Sequence, residues 1–346
     1  MKPHEKHVKE WVHGLIPYSP GKTVRGAIKL ASNENDYGPS PKVIRGLRKA
    51  IPDVFRYPYK DNEVKEALAK YCHTSPENIV LGNGSDEKLE LIVKAFQGPI
   101  ASHYPTFVEY PTYARMHNVP YISSKLNPDF SFNVERFLKE TEKANIIFLC
   151  TPNNPVGSVI EPRDVEEVVK TGKIVAVDEA YSEFWGVSCA DMVKDYPNLM
   201  VLKTMSKAFG LAGLRIGYAI ASPEAACALN KVKAPFNVNY LAHEAILLAL
   251  KDIPYMRKTV AKIVKDRKML EERLAKRFRV VPSHANFILV DVSPHNPKEF
   301  FDKMMEQKIV VRPQPPFDGF PGSWVRITVG TSAENKRLLA ALDRIN

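Results

Sequence analysis

The sequence predicts an α/β fold: a large domain on a mostly parallel seven-stranded sheet sandwiched by helices, followed by a small α+β domain. Three observations carry this. Short runs rich in Val, Ile and Leu recur without polar alternation, as in strands buried on both faces. Stretches with helical spacing fill most of the gaps between them. After about residue 235 the pattern changes to long helix and then to a few isolated strand-like runs.

In chain order the first strands are "NIVLG" from Asn78, "GPIAS" from Gly98, "VPYISS" from Val119 and "NIIFLC" from Asn145. "KIVAVD" from Lys173, "LMVLKT" from Leu199 and "RIGYAIA" from Arg215 complete the set. Helices are expected over "SDEKLELIVKAF", "TFVEYPTYARMHN" and "EPRDVEEVVKTG". The stretch from Leu241 to Phe278 reads as long helix interrupted near Pro254. Beyond it, "NFILVDV", "PKEFFDKMMEQ", "IVVRP", "WVRITVG" and a last helix through Leu338 to Ile345 suffice for the small domain. The expected division is an N-terminal arm over 1–40 that packs on the small domain or a partner subunit, a large domain over 41–240 and a small one over 241–346.

Composition narrows the function classes. Of 346 residues, 45% are hydrophobic and 25% charged, and no apolar run reaches the ~18 residues that cross a membrane. The first residues carry charge throughout and lack the apolar core of a signal peptide. Four scattered cysteines without a C-x-x-C pair read as reduced thiols, so a cytoplasmic setting is expected. Lys and Arg number 49 against 39 acidic residues, a net +10 that favours phosphorylated or carboxylate ligands. The basic clusters "KIVKDRK" and "RLAKRFR" contain or adjoin acidic residues and read as a solvated helix face, not a nucleic-acid site. His4 and His7 have no further ligand cluster beside them, so no metal site is expected.

Ligands of open α/β sheets bind outside the carboxyl ends of the strands, and each strand end here is polar. "NGSDE" opens a helix with Ser85 and Asp86, whose free N–H groups suit an anion such as phosphate. "TPNNPVG" places Asn154 at a strand end, and "DEAYSEF" places Asp178 where a buried carboxylate needs a cationic partner. In "TMSKAFGLAGLRIGY" small residues leave room beside Lys207, and Arg215 follows closely in the chain. A lysine near desolvating walls and another cation becomes a nucleophile.

These four motifs, in this order and spacing, resemble the fold-type I aminotransferases that use pyridoxal 5′-phosphate. "IPYSPGK", "KLASNEN", "FRYPYKDNEVKEAL" and "VRITVGT" are similar to the members that act on an imidazole-bearing amino phosphate; aromatic or broad-range aminotransferases and phospho-amino-acid decarboxylases share the same chemistry. The resemblance implies Lys207 as the lysine that binds the cofactor aldehyde and moves the substrate proton. Asp178 would face the ring nitrogen, Asn154 and Tyr181 the phenolic oxygen, and Phe107 the ring face, where the most similar group often has Tyr. Ser85, Asp86, Ser206 and Arg215 would surround the phosphate, joined by Tyr57 from the partner subunit of a homodimer. Arg326, Arg312, Tyr18 and Asn33 would hold the substrate, an amino phosphate or amino acid in one half-reaction and glutamate or 2-oxoglutarate in the other. The arm looks shortened, since only "TVRGAI" separates "YSPGK" from "KLASNEN".

Overall fold

The computed structural model describes residues 3–15, 17 and 21–345. Its central sheet contains seven strands, β2 (Ile79–Asn83), β3 (Ile100–Tyr104), β4 (Tyr121–Lys125), β5 (Ile146–Cys150), β6 (Ile174–Asp178), β7 (Leu199–Thr204) and β8 (Ile216–Ala221). Their order is β2-β8-β7-β6-β5-β3-β4, and β8 alone runs antiparallel to both its neighbours. The segment between β7 and β8 is too short for the dozen or more residues of a parallel crossover, so the chain turns back and leaves Lys207 on that return loop.

Each strand sends alternate side chains to opposite faces, and both faces are covered. Leu81, Ile147, Leu149, Val175, Val177, Val201 and Ile220 join one core; Val80, Ile100, Ile146, Phe148, Ala176, Met200 and Ala219 join the other. Continuous apolar runs follow from this double burial. Strand β3 lies between β4 and β5, so the connections diverge there and open a crevice at the carboxyl ends of β3 and β5.

The long helical region divides into Tyr240–Leu250 and Ile253–Leu274, with Pro254 in the first turn of the second helix, where its missing N–H costs nothing. A four-stranded antiparallel sheet follows, ordered β12 (Arg312–Pro313), β13 (Trp324–Thr328), β10 (Phe287–Asp291) and β9 (Arg279–Val281). The arm is stitched to this region: β1 (Ile28–Lys29) pairs in parallel with β11 (Ile309–Val310), and Thr328 N donates to Leu30 O at 2.9 Å.

Two expectations change. The last helix starts at Ser332, where Thr331 and Glu334 form a reciprocal capping box, well before Leu338. The second basic cluster leaves the helix at Leu274 and ends in β9, while Arg267 of the first is buried and donates to Ala285 O at 2.8 Å. No helix of the described residues is long and apolar enough to cross a membrane.

Gly217 in β8 lies under the turn that starts the Gly84–Ala95 helix; a Cβ there would meet Gly84 C at 2.4 Å and Ser85 N at 2.6 Å. Both are backbone atoms that a rotamer change cannot move. Gly217→Ala is therefore expected to cost about 1–3 kcal/mol, the usual range for overpacking, as read from urea unfolding. An unchanged midpoint would show that this helix start moves freely.

Candidate active site

Asp178 ends β6 with only 3% of its surface exposed. Its side chain points to the core face that holds Tyr110, whose hydroxyl donates to Oδ2 at 3.0 Å, and Ala180 N donates to Oδ1 at 3.1 Å. Both partners are neutral. The expected cation is absent among the described residues, and burial pushes the carboxyl up from 3.8 to about 6, although the two hydrogen bonds pull the other way. Tyr110 is the functional residue that the sequence did not reveal: it sits 68 positions from Asp178 in an ordinary helical stretch.

Lys207 stands on the β7–β8 return loop. Its Nζ donates to Ser32 O at 3.2 Å and lies 5.6 Å from the centre of the Tyr181 ring. Burial first, then the Arg326 charge, lower its amine from 10.5 to about 8, which leaves a useful fraction neutral near physiological pH. The arm clasps this loop: Asn35 Nδ2 donates to Ala208 O at 2.9 Å, and Gly38 lies so close to Gly210 that a Cβ there would meet Gly38 C at 2.7 Å.

Beyond the ends of β5 and β6, Asn154 Oδ1 accepts from Arg326 Nη1 at 2.5 Å, and Arg326 Nη2 donates to Ala31 O at 2.9 Å. The Tyr181 hydroxyl accepts from Asn33 Nδ2 at 2.9 Å, and Asn33 N donates to Thr328 Oγ1 at 3.0 Å. Arg312 is directly opposite Arg326 in the β12–β13 register.

The turn after β2 forms the third wall. Gly84 N donates to Arg215 O at 2.8 Å, and Arg215 Nη2 pairs with Asp86 Oδ2 at 2.9 Å. Ser206 is held by Thr204, whose Oγ1 accepts from Ser206 N at 3.1 Å. Ser85, Asp86, Ser206 and Arg215 converge here with Phe107, which meets Tyr110 edge-on at 5.7 Å.

One cavity of 650 Å³ is lined by every sequence-predicted residue of the site except two. Tyr18 lies outside the described residues. Tyr57 is 73% exposed and stacks on Phe236 at 4.5 Å, outside the lining of its own chain's cavity.

An amine kept partly neutral by burial, in one cavity with a carboxylate that lacks a cation, suits a ligand with a carbonyl group and a basic nitrogen. The open helix start beside Arg215 suits a phosphate on that ligand. On this sheet such chemistry defines the fold-type I class of cofactor-dependent transferases. The chain belongs to the aminotransferase class I and II family, whose model matches residues 25–342. It is 35% identical to the histidinol-phosphate aminotransferase of Methanocaldococcus jannaschii, over 99% of this chain and 98% of that one. With the enzyme of the same name from Thermococcus gammatolerans it shares 36% identity over 98% of this chain and 97% of the relative. Among solved structures, histidinol-phosphate aminotransferase from Sinorhizobium meliloti in complex with pyridoxal-5′-phosphate superimposes with a TM-score of 0.87 at 27% identity, covering 97% and 96% of the two chains.

Asp178 binds its proton more tightly folded than unfolded, so cofactor-free protein should lose stability as pH rises from 3.8 through about 6. Asp178→Asn removes that loss, and the Tyr110 oxygen can accept from the new amide. The variant without cofactor is expected to be more stable than its parent at pH 8 by about 2 kcal/mol, with the gap closing toward pH 4. Thermal unfolding across this range checks it; a pH-independent difference would refute the assignment.

Proposed function

We propose that this chain is a histidinol-phosphate aminotransferase that works with pyridoxal 5′-phosphate and exchanges the amino group with glutamate and 2-oxoglutarate in two half-reactions. The observation that carries this reading is the convergence of the Lys207 amine, Asp178, Arg215 and Arg326 on one cavity. Relatives of that name matching almost the whole chain support the substrate.

When bound, pyridoxal phosphate supplies an aldehyde for the substrate nitrogen and a ring that accepts the electron pair released at the substrate carbon. Asp178, once charged, holds a proton on the ring nitrogen and regains the cation its burial lacks. Lys207 would hold the cofactor through its aldehyde, and its free amine would carry the proton from the substrate carbon. Asn154 and Tyr181 hydrogen-bond the phenolic oxygen, and Phe107 covers a ring face. Arg215, Ser206 and the amides of Ser85 and Asp86 take the phosphate. Arg326 and Arg312 receive the anionic end of either substrate, because a guanidinium fork matches carboxylate and phosphate alike. Asn33 holds the arm beside the substrate through Tyr181, and Tyr18 is proposed as a further substrate contact.

Tyr57 serves the partner subunit's phosphate in a homodimer with shared sites. Its exposed ring stacks on exposed Phe236, and Phe55 and Tyr59, its neighbours in sequence, are exposed as well, which suits a second copy. The division into arm 1–40, large domain 41–240 and small domain 241–346, and a cytoplasmic location, belong to the same proposal.

In single-turnover measurements of the half-reaction, histidinol phosphate should outpace phenylalanine; comparable or faster turnover of phenylalanine would move the assignment to an aromatic aminotransferase. Lys207→Ala should bind cofactor without covalent attachment and lose transamination. Mixing that variant with Tyr57→Ala should restore roughly a quarter of the sites, since one site of each heterodimer is then intact; no recovery would show that Tyr57 acts elsewhere.

A further inference from the structure

Lys88 occupies the second turn of the Gly84–Ala95 helix, a position from which a lysine ordinarily reaches water. Here it is completely buried, and Nζ donates to Gly84 O at 2.7 Å. Gly82 makes the space, since a Cβ on it would fall 1.7 Å from Nζ. No carboxylate forms an ion pair with this amine among the described residues. Glu87 Oε2 is engaged by Asn83 N at 2.6 Å and Asn237 Nδ2 at 2.7 Å.

Burial pushes the Lys88 amine down from 10.5 to about 7; Glu87 and Asp86 favour its charge, while Lys233 and Arg215 oppose it. A buried amine without a counterion opposes folding, and an apolar side chain of equal length would be better tolerated. Stability therefore gives no reason for a lysine here.

The atom it holds supplies one. Gly84 O and the Ser85 N–H are opposite ends of one peptide unit, and the N–H belongs to the open end of the helix. Asn83 N is taken by Glu87 and Gly84 N by Arg215 O. The amides of Ser85 and Asp86 are then left to a ligand, since the first turn of a helix has no intrahelical acceptors for them. Resting on the phosphate reading above, we propose that Lys88 is a positioning residue for the cofactor phosphate: its ammonium polarises the Gly84–Ser85 peptide from behind, and Nζ takes one proton from solvent when the dianion arrives. Hydrogen-bonded groups in series strengthen one another in a low-dielectric interior, so the ammonium acts on the phosphate without touching it.

The test compares pyridoxal phosphate with pyridoxal, which lacks the phosphate, on cofactor-free wild-type protein and on Lys88→Met. The variant should bind pyridoxal phosphate about tenfold more weakly, keep its affinity for pyridoxal, and unfold at a higher temperature when empty. In a Lys207→Ala background, where the other titrating amine is gone, affinity for pyridoxal phosphate should fall as pH rises above about 7. Lys88→Met should flatten that slope. Equal weakening of both ligands, unchanged affinity for pyridoxal phosphate or a lower unfolding temperature would each overturn the proposal. A wild-type protein with no preference for pyridoxal phosphate over pyridoxal would overturn the phosphate reading itself, and this inference with it.

Discussion

A carboxylate buried at the end of β6 without a cation bonded to it sets the conditions for the rest of the cavity. Asp178 receives only a phenol and an amide N–H, and both fall short of what an ionised group needs away from water. Lys207 has the opposite charge and the same difficulty. If the two paired directly, each would be stabilised and the cavity would have no use for a charged ligand. They form no ion pair, and the arm holds the lysine loop from the other side through Ser32, Asn35 and Gly38. The cavity thus holds two groups of opposite charge that burial disfavours, an arrangement that suits a ligand able to meet both.

The reverse face of the same strand ends shows the contrast. Side-chain alternation sends Glu179 and Lys203 away from Asp178, and there the charges are satisfied: Nζ lies 2.9 Å from Glu179 Oε2 and donates to Ser182 Oγ at 2.7 Å. Ser188 Oγ and Cys189 N donate to the two Glu179 oxygens, each at 2.5 Å. Burial opposes the Lys203 charge, but Glu179 and Glu183 more than offset it and hold the amine above its ordinary range. This complete network ties the segment bearing Asp178 and Tyr181 to the strand that leads to Ser206 and Lys207. Rigidity on one face permits unsatisfied chemistry on the other.

Much of this was legible in the sequence because burial on both sheet faces leaves a continuous apolar signal; all seven central strands fall within about two residues of their predicted bounds. The polar residues that end those strands were legible for the same reason, since a run such as "KIVAV" has no local use for the aspartate after it. Partners from distant elements were not. The Asn154–Arg326 contact spans 172 positions, and Tyr110 reaches Asp178 only because its helix packs over the same core face. The expectation of a cationic partner for Asp178 named no residue of the chain, and none of the described residues forms an ion pair with it. Lys88 escaped notice because polar residues on a helix normally face water, and the packing of that helix on β8 and β2 removes it from solvent.

The cavity's own charges bear on what it selects. Lys207, Arg215, Arg312 and Arg326 line it against Asp86, Glu109 and Asp178, and Arg215 already pairs with Asp86. Glu109 is held above its ordinary range by burial and then by Asp86. A cavity in this state attracts anionic groups at two separated places, one at the helix start beside Arg215 and one between the guanidinium groups of β12 and β13. On the proposed function, a cofactor phosphate would meet the first and leave the second to the substrate. That second place can accept a carboxylate or a phosphate ester with little geometric change, so charge alone admits both glutamate and a phosphorylated amino alcohol. Discrimination among anionic substrates must then come from the walls around the substrate's other end, where Tyr104, Phe317 and Gln314 line the same cavity.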